Sequence, residues 1–403
     1  MIKKSMPQVF DALKIKSITD FKSLAKKSLS LNADGGLKVG AGFTALSLQI
    51  PSKIKKIFTI NCDKYLYCED KLIYRYDNNN ITALSNVSFL DPKSIFRIDF
   101  FDEEFIAVLD GEKITFLGDS IDVLPVPKVN SAINFKGRLY LTNDNTVKYT
   151  LTPHDKSSIL SGDLQSVTIN ERHGKIKRVL ILDEQFILVT QNALLKLSVD
   201  YDGAPTLSKI CTIPFDEYSF FIDKNVLYVL SKGVLYKYAN AKFIKILKLD
   251  EIKTYRDEFF VMDDVVFVLT SKDGDDFVYA KNFNGDESTY IKDLNLDVFS
   301  NDLCASNSTG KIYKPFVNAS DEGFIWESEK VLYGDGKKTL LGVSVDVSGS
   351  VNVTIKGDVG EITFIDVSDN KKMHTLLVSD GFFITVNGQG ESVVKEIKLY
   401  YRD

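Results

Sequence analysis

Histidine, tryptophan and cysteine are scarce in this 403-residue chain, which has three His, one Trp and four Cys. A catalytic triad or a zinc site needs several groups converging within hydrogen-bond or ligand distance. His154, His173 and His374 lie far apart in the chain, and neither His-x3-His nor Cys-x2-Cys spacing occurs. The expectation is therefore a protein that is not an enzyme, with no catalytic, cofactor or metal residues. Cys62, Cys68, Cys211 and Cys304 read as small buried thiols of a reducing compartment. Cys62 and Cys68 could in principle meet across neighbouring strands of one blade.

Long apolar runs are missing too, since no window approaches the roughly 18 residues of a membrane span. The start, Met1-Ile2-Lys3-Lys4-Ser5-Met6-Pro7, has the charges of a signal peptide without the apolar stretch that must follow. Synthesis and folding in a cytoplasm is the expectation. Lys and Arg number 50 against 55 Asp and Glu, interleaved along the chain, for a net charge of −5. No basic field is available to hold nucleic acid by counterion release.

What is present is a repeat. An apolar β-rich run, a tight polar turn and a second β-rich run return seven times, beginning at Tyr65, Phe105, Leu139, Phe186, Val226, Val265 and Leu303. Successive copies start roughly 33 to 48 residues apart, the period of a four-stranded propeller blade. A further strand precedes the pairs, as in Lys56–Ile60, Ser94–Ile98, Ile176–Ile181 and Tyr218–Ile222. One blade cannot bury both of its faces, and a closed ring solves that. The sequence thus predicts an all-β chain: a seven-bladed β-propeller over 49–315, without WD40 or kelch signatures. Its first or last blade is open to completion by a strand from elsewhere.

Residues 1–48 do not fit the repeat. Ile18–Leu29 reads as a short amphipathic helix, with Ser17 or Thr19-Asp20 at its start and Phe21, Leu24 and Leu29 near one face. The glycines that follow make the segment an N-terminal helical arm, free to pack on its own domain or dock on a neighbour. A longer gap, His154–Asp163, separates the third and fourth copies and reads as a rim loop. Phe21, Leu24, His154, Lys156 and Ile159 are the candidate partner contacts. From Gly323 the strands lengthen and alternate strictly, predicting an antiparallel β-sandwich over 316–403.

Other chemistry-bearing patterns have plainer readings. Asp273-Gly274-Asp275-Asp276 and Asn284-Gly285-Asp286 are oxygen-rich, but Phe277-Val278-Tyr279 stands where an EF-hand loop needs ligands, so they read as hairpin turns. Gly35–Gly42 lacks the Gly-Lys-Ser/Thr of a phosphate loop. Tyr236–Phe243 interleaves aromatics with lysine as a sugar- or base-stacking surface does, and reads more simply as half-buried strand.

The strand Phe324–Lys330, the later Phe382–Gly388 and the closing Ile397–Tyr400 resemble the ends of propeller-bearing structural proteins of tailed phages and prophages. That resemblance implies a non-enzymatic virion component of the tail or neck, assembled in the bacterial cytoplasm among other tail proteins in a symmetric array. Without a long central helix or fibre repeat, a compact tip, hub or collar protein is expected rather than a shaft. The alternatives are a carbohydrate- or receptor-binding propeller, which would meet a host-surface glycan, and a propeller glycoside hydrolase.

Overall fold

Antiparallel strand dominates the chain, as its β-branched and aromatic content dictates. The computed structural model describes residues 13–403 apart from positions 20, 22–24, 30, 33–37, 40, 51, 61–62, 78–79, 101–102, 201, 250–254, 273–274, 285–287, 293, 295, 301–303, 307–310, 318–322, 333, 335 and 369–371.

Six consecutive meanders form sheets I to VI. Their first strands are Ile54–Ile60, Pro92–Phe100, Ser131–Phe135, Ile176–Leu182, Ser219–Asp223 and Tyr255–Met262, each hydrogen-bonded to the next strand in sequence order. In each sheet the second strand is covered on both faces, so it reads as a continuous apolar run. Phe105–Leu109 and Val226–Leu230 are such runs, and they made the repeat visible. The fourth strands, such as Ile121–Pro125 and Lys242–Lys248, carry mostly exposed side chains.

First and second strands are often joined by two-residue turns with both residues at positive φ, as at Lys136-Gly137, Asp183-Glu184, Lys224-Asn225 and Asp263-Asp264. That geometry matches strand twist in a tight hairpin. Non-glycine residues fill most of these positions, which hides them from a search for Asp-Gly or Asn-Gly.

Sheet VII is assembled from both sides of the meanders. Leu296–Val298, Cys304–Ser306 and Lys311–Phe316 are completed by Gly42–Gln49, with Phe43 opposite Pro315 and Ala45 opposite Tyr313. This strand lies mostly within the segment read as an arm. Apolar clusters join each sheet to the next: Tyr67 with Val108, Phe116 with Leu139, Tyr149 with Leu188, Val189 with Leu227, Tyr228 with Val268, and Val278 with Leu296. A seventh cluster, containing Ile312 and Leu66, joins sheet VII to sheet I.

Among the described residues, strand stands where the N-terminal helix was expected. Lys14–Ile18 is a strand paired with Val393–Arg402, and Ala25–Leu29 is a strand paired with Gly323–Ser328. Helix propensity is worth only tenths of a kcal/mol per residue, and here pairing with two open sheet edges overrides it. The C-terminal strands therefore form two sheets that each recruit an N-terminal strand. One also holds Lys338–Ser348, Met373–Ser379 and Val393–Arg402; the other holds Gly323–Ser328, Val351–Lys356, Glu361–Val367 and Phe383–Gln389. Ile18, Phe21, Trp326, Val345, Val353 and Ile397 share one core with them. The meander sheets are thus inserted between the N-terminal and C-terminal parts of this two-sheet unit.

Candidate functional site

The gap in the repeat forms a built loop. Residues Lys156–Ser161 make a helix, α1, after the third strand of sheet III. Asp155 is its N-cap: the carboxylate accepts from the backbone N–H of Ser157 at 3.0 Å and of Ser158 at 3.2 Å, and from both serine hydroxyls at 2.7 Å. These bonds to the charged form hold its pKa down at about 2. Gly162, at φ 73°, ends the helix and donates to the Ile159 carbonyl.

Beside α1 lies an open depression of about 470 Å³, lined by Phe100, Glu103, Thr152, Pro153, His154, Asp155, Lys156 and Ser157. His154 Nδ1 stands 2.8 Å from Asp99 Oδ2 and 2.9 Å from the Asp99 carbonyl. The His154 backbone N–H donates to the Gly137 carbonyl at 2.8 Å, and the residue itself takes φ 56°. Its ring lies against Gly137, where an added Cβ would fall 2.2 Å from Nε2. That nitrogen is packed on the hairpin, out of position for proton transfer to a guest in the depression. Lys156 Nζ donates to Glu103 at 2.8 Å, stands 3.4 Å from Asp122 Oδ2, and lies 4.6 Å above the Phe105 ring. The hydrogen bond to Glu103 leads the causes that raise its pKa.

The fold separates the five candidate contacts. His154 and Lys156 line the depression. Ile159 is fully buried between sheets II and III, where it pins α1 instead of offering a contact. Phe21 is also fully buried, in the core of the two-sheet unit, so it too is a packing residue. Leu24 lies outside the described residues.

A second polar cluster sits between sheets I and II. Asp63 is held by Arg75 Nη2 at 3.2 Å and by Arg97 Nη2 at 3.1 Å, and Arg97 Nε lies 2.5 Å from Glu104. Glu104 is opposite Asp99 across the first hairpin of sheet II, so the charged groups run from sheet I to the depression. Asp99, Glu103 and Asp63 carry no sequence signal: each is one acid among many, and only the folded chain brings it His154, Lys156 or the two arginines.

The remaining sequence candidates are dispersed. His173 is buried, accepts from Arg172 Nε at 3.2 Å, and has its pKa lowered by burial. His374 is exposed on an edge strand of the two-sheet unit. Among the described residues no group of three or more His, Cys, Asp or Glu could hold a metal. Cys68 is buried, with its thiol pushed up to about 12 by burial and by Asp70; Cys62 lies outside the described residues. So do Asp273, Gly274, Gly285 and Asp286 of the oxygen-rich turns and Gly35, Gly36, Leu37 and Gly40 of the glycine-rich stretch. No described helix is long and apolar enough to cross a membrane.

No family model matches the chain, and no curated protein matches it. Among solved structures, BamB from Moraxella catarrhalis is similar at 10% identity and TM-score 0.42, over 75% of this chain and 97% of that one. PorZ, a surface component of the type-IX secretion system of Porphyromonas gingivalis, is similar at 13% identity and TM-score 0.42, over 80% of this chain and 46% of that one. A structure of BBS1N in complex with ARL6DN is similar at 12% identity and TM-score 0.45, over 70% of this chain and 98% of that one. These likenesses are too distant to carry an activity or a partner to this chain.

Proposed function

We propose that sheets I to VII are the blades of a closed seven-bladed β-propeller, that the two end sheets form a β-sandwich, and that the whole is a protein–protein interaction platform in a phage-like tail. Tip, hub or collar is the position it would take, with other tail proteins as partners and no catalytic role. The observation that carries the reading is the double crossing between the two units: the chain leaves the end sheets after Ala25–Leu29, closes sheet VII with Gly42–Gln49, and returns at Gly323–Ser328. Two covalent connections couple a ring to its support more stiffly than one flexible linker. A rigid platform loses little entropy when it is built into a repeated assembly. The strands that resemble tail proteins are core strands of the sandwich, and they hold Phe324, Phe382 and Ile397 fully buried.

The test is immunogold labelling of induced particles from the source bacterium, viewed by negative-stain electron microscopy. Gold at a fixed point of a tail is expected. Unlabelled tails, with the protein left in the soluble fraction, would overturn the tail reading and favour the carbohydrate- or receptor-binding propeller. The open depression beside Phe100 and Lys156 is the observation that speaks for that second reading.

A further inference from the structure

The first strand of sheet IV carries two neighbouring cations, Lys177 and Arg178. Adjacent residues of a regular strand point to opposite faces. Here the register against the second strand shifts between Ile176 and Arg178, a β-bulge that turns both side chains toward sheet V. Lys177 Nζ lies 4.5 Å above the Tyr218 ring, and Arg178 Cζ lies 5.2 Å above the Phe220 ring.

Neither cation has a carboxylate partner among the described residues. This sets them apart from the cations on the first strands of sheets I and II: Lys56 pairs with Asp91, and Arg97 with Asp63 and Glu104. Arg178 is solvent-accessible even though protein crowds it, and that crowding lowers its pKa without neutralising a guanidinium. Stacking on a ring occupies the face of the guanidinium and leaves its N–H edge free to fork onto a carboxylate.

Half-buried aromatics continue from this pair, packed against the buried cluster between sheets IV and V. Phe220 is followed by Tyr218 at 6.3 Å, Phe215 at 6.2 Å and Tyr236 at 4.6 Å. Two cations without carboxylate partners thus lie over the rings of an apolar row.

We propose that Lys177 and Arg178, with the Phe220–Tyr218–Phe215 row, form a docking site for an acidic segment of a partner protein in which carboxylates alternate with aromatic or apolar side chains. The carboxylates would pair with the two cations, and the apolar side chains would lie along the rings. The inference rests on the interaction-platform reading and names the kind of partner it would take.

The experiment measures fluorescence anisotropy of the full chain with a fluorescein-labelled decapeptide of alternating glutamate and tyrosine. A lysine–tyrosine peptide and a glucuronate oligosaccharide serve as the other probes. Saturable, salt-sensitive binding of the acidic peptide alone is expected, at least tenfold weaker for K177E/R178E and several-fold weaker for F220L, with unchanged far-UV circular dichroism in both variants. Absent binding, binding that K177E/R178E leaves intact, or equal binding of the lysine peptide would overturn the proposal. Preference for the oligosaccharide would overturn it in favour of a glycan site. Tails that label with gold while the protein ignores the acidic peptide would refute only this inference, whereas peptide binding by a protein absent from tails would refute only the tail reading.

Discussion

Phe21 and Trp326, 305 positions apart in sequence, meet edge to face with ring centroids 5.3 Å apart and planes at 88°, while Trp326 Nε1 donates to the Phe21 carbonyl at 3.0 Å. Both side chains are fully buried. This contact ties the N-terminal strands to the C-terminal sheets, and it changes what removal of the N-terminal segment means. Deleting the residues before Gly40 takes two strands out of the end sheets, so its first effect is on folding.

Phe21→Ala should cost about 3–5 kcal/mol, the range for emptying a buried aromatic site. Trp326 is the single tryptophan, so its fluorescence reports this unit alone. Urea titration should show the fluorescence midpoint falling while the main circular-dichroism transition, dominated by the seven sheets, stays in place. Coincident shifts would mean that the two units unfold as one.

Phe43→Ala tests closure. Phe43 is buried in the strand that completes sheet VII and packs against Phe267 at 5.7 Å and Phe299 at 6.4 Å. A loss of about 3–5 kcal/mol is expected in the circular-dichroism transition, with Trp326 fluorescence little changed. Val123→Ala, at an exposed site on a fourth strand, should stay within about 0.5 kcal/mol. Equal effects from the two substitutions would show that the Gly42–Gln49 strand does not hold sheet VII together.

The cap of α1 should weaken in acid. The Asp155 pKa is depressed in the folded state, so its stabilisation is complete above the unfolded value of about 3.9 and fades as pH falls toward about 2. Amide exchange over residues 157–162 should accelerate across that window. Asp155→Ala should lose about 1 kcal/mol of local protection at pH 6, and Asp155→Asn should keep most of the cap while flattening the acid response. An unchanged acid response in Asp155→Asn would assign the effect to another group.

Gly137 and Gly111 separate backbone strain from a contact. Both sit at positive φ, 74° and 61°, yet an added Cβ meets nothing at Gly111 and falls 2.2 Å from His154 Nε2 at Gly137. Gly111→Ala should cost about 1 kcal/mol from strain alone. Gly137→Ala should cost more and shift the His154 ring resonances. Equal losses, with His154 unmoved, would remove the packing role assigned to that ring.

Cys68 should resist alkylation in the folded protein, because burial and Asp70 keep its thiol protonated at neutral pH. Peptide-resolved mass spectrometry after brief iodoacetamide treatment should find Cys68 unmodified until urea unfolds the chain. Rapid native labelling would contradict its burial.

The sequence by itself determined the strands and their period. Runs such as Phe105–Leu109 and Val226–Leu230 are buried on both faces, so local composition marks them, and the turns between them return every forty residues or so. Strict alternation marked Val351–Lys356 and its neighbours in the same way. Tertiary structure decided which strand completes which sheet. Ala25–Leu29 has helix-forming residues and becomes a strand because Gly323–Ser328 presents an open edge; Gly42–Gln49 finds its partner in Lys311–Phe316. The candidate sites were decided there as well. Ile159 is an ordinary loop apolar residue until sheets II and III enclose it, and His154 gains Asp99 only when sheet III packs on sheet II. Lys177 and Arg178 face one neighbour only because a bulge breaks the alternation. Strand patterning is local and survives in the residue order, whereas edge pairing, cross-sheet ion pairs and bulges join residues distant in the chain and depend on the folded whole.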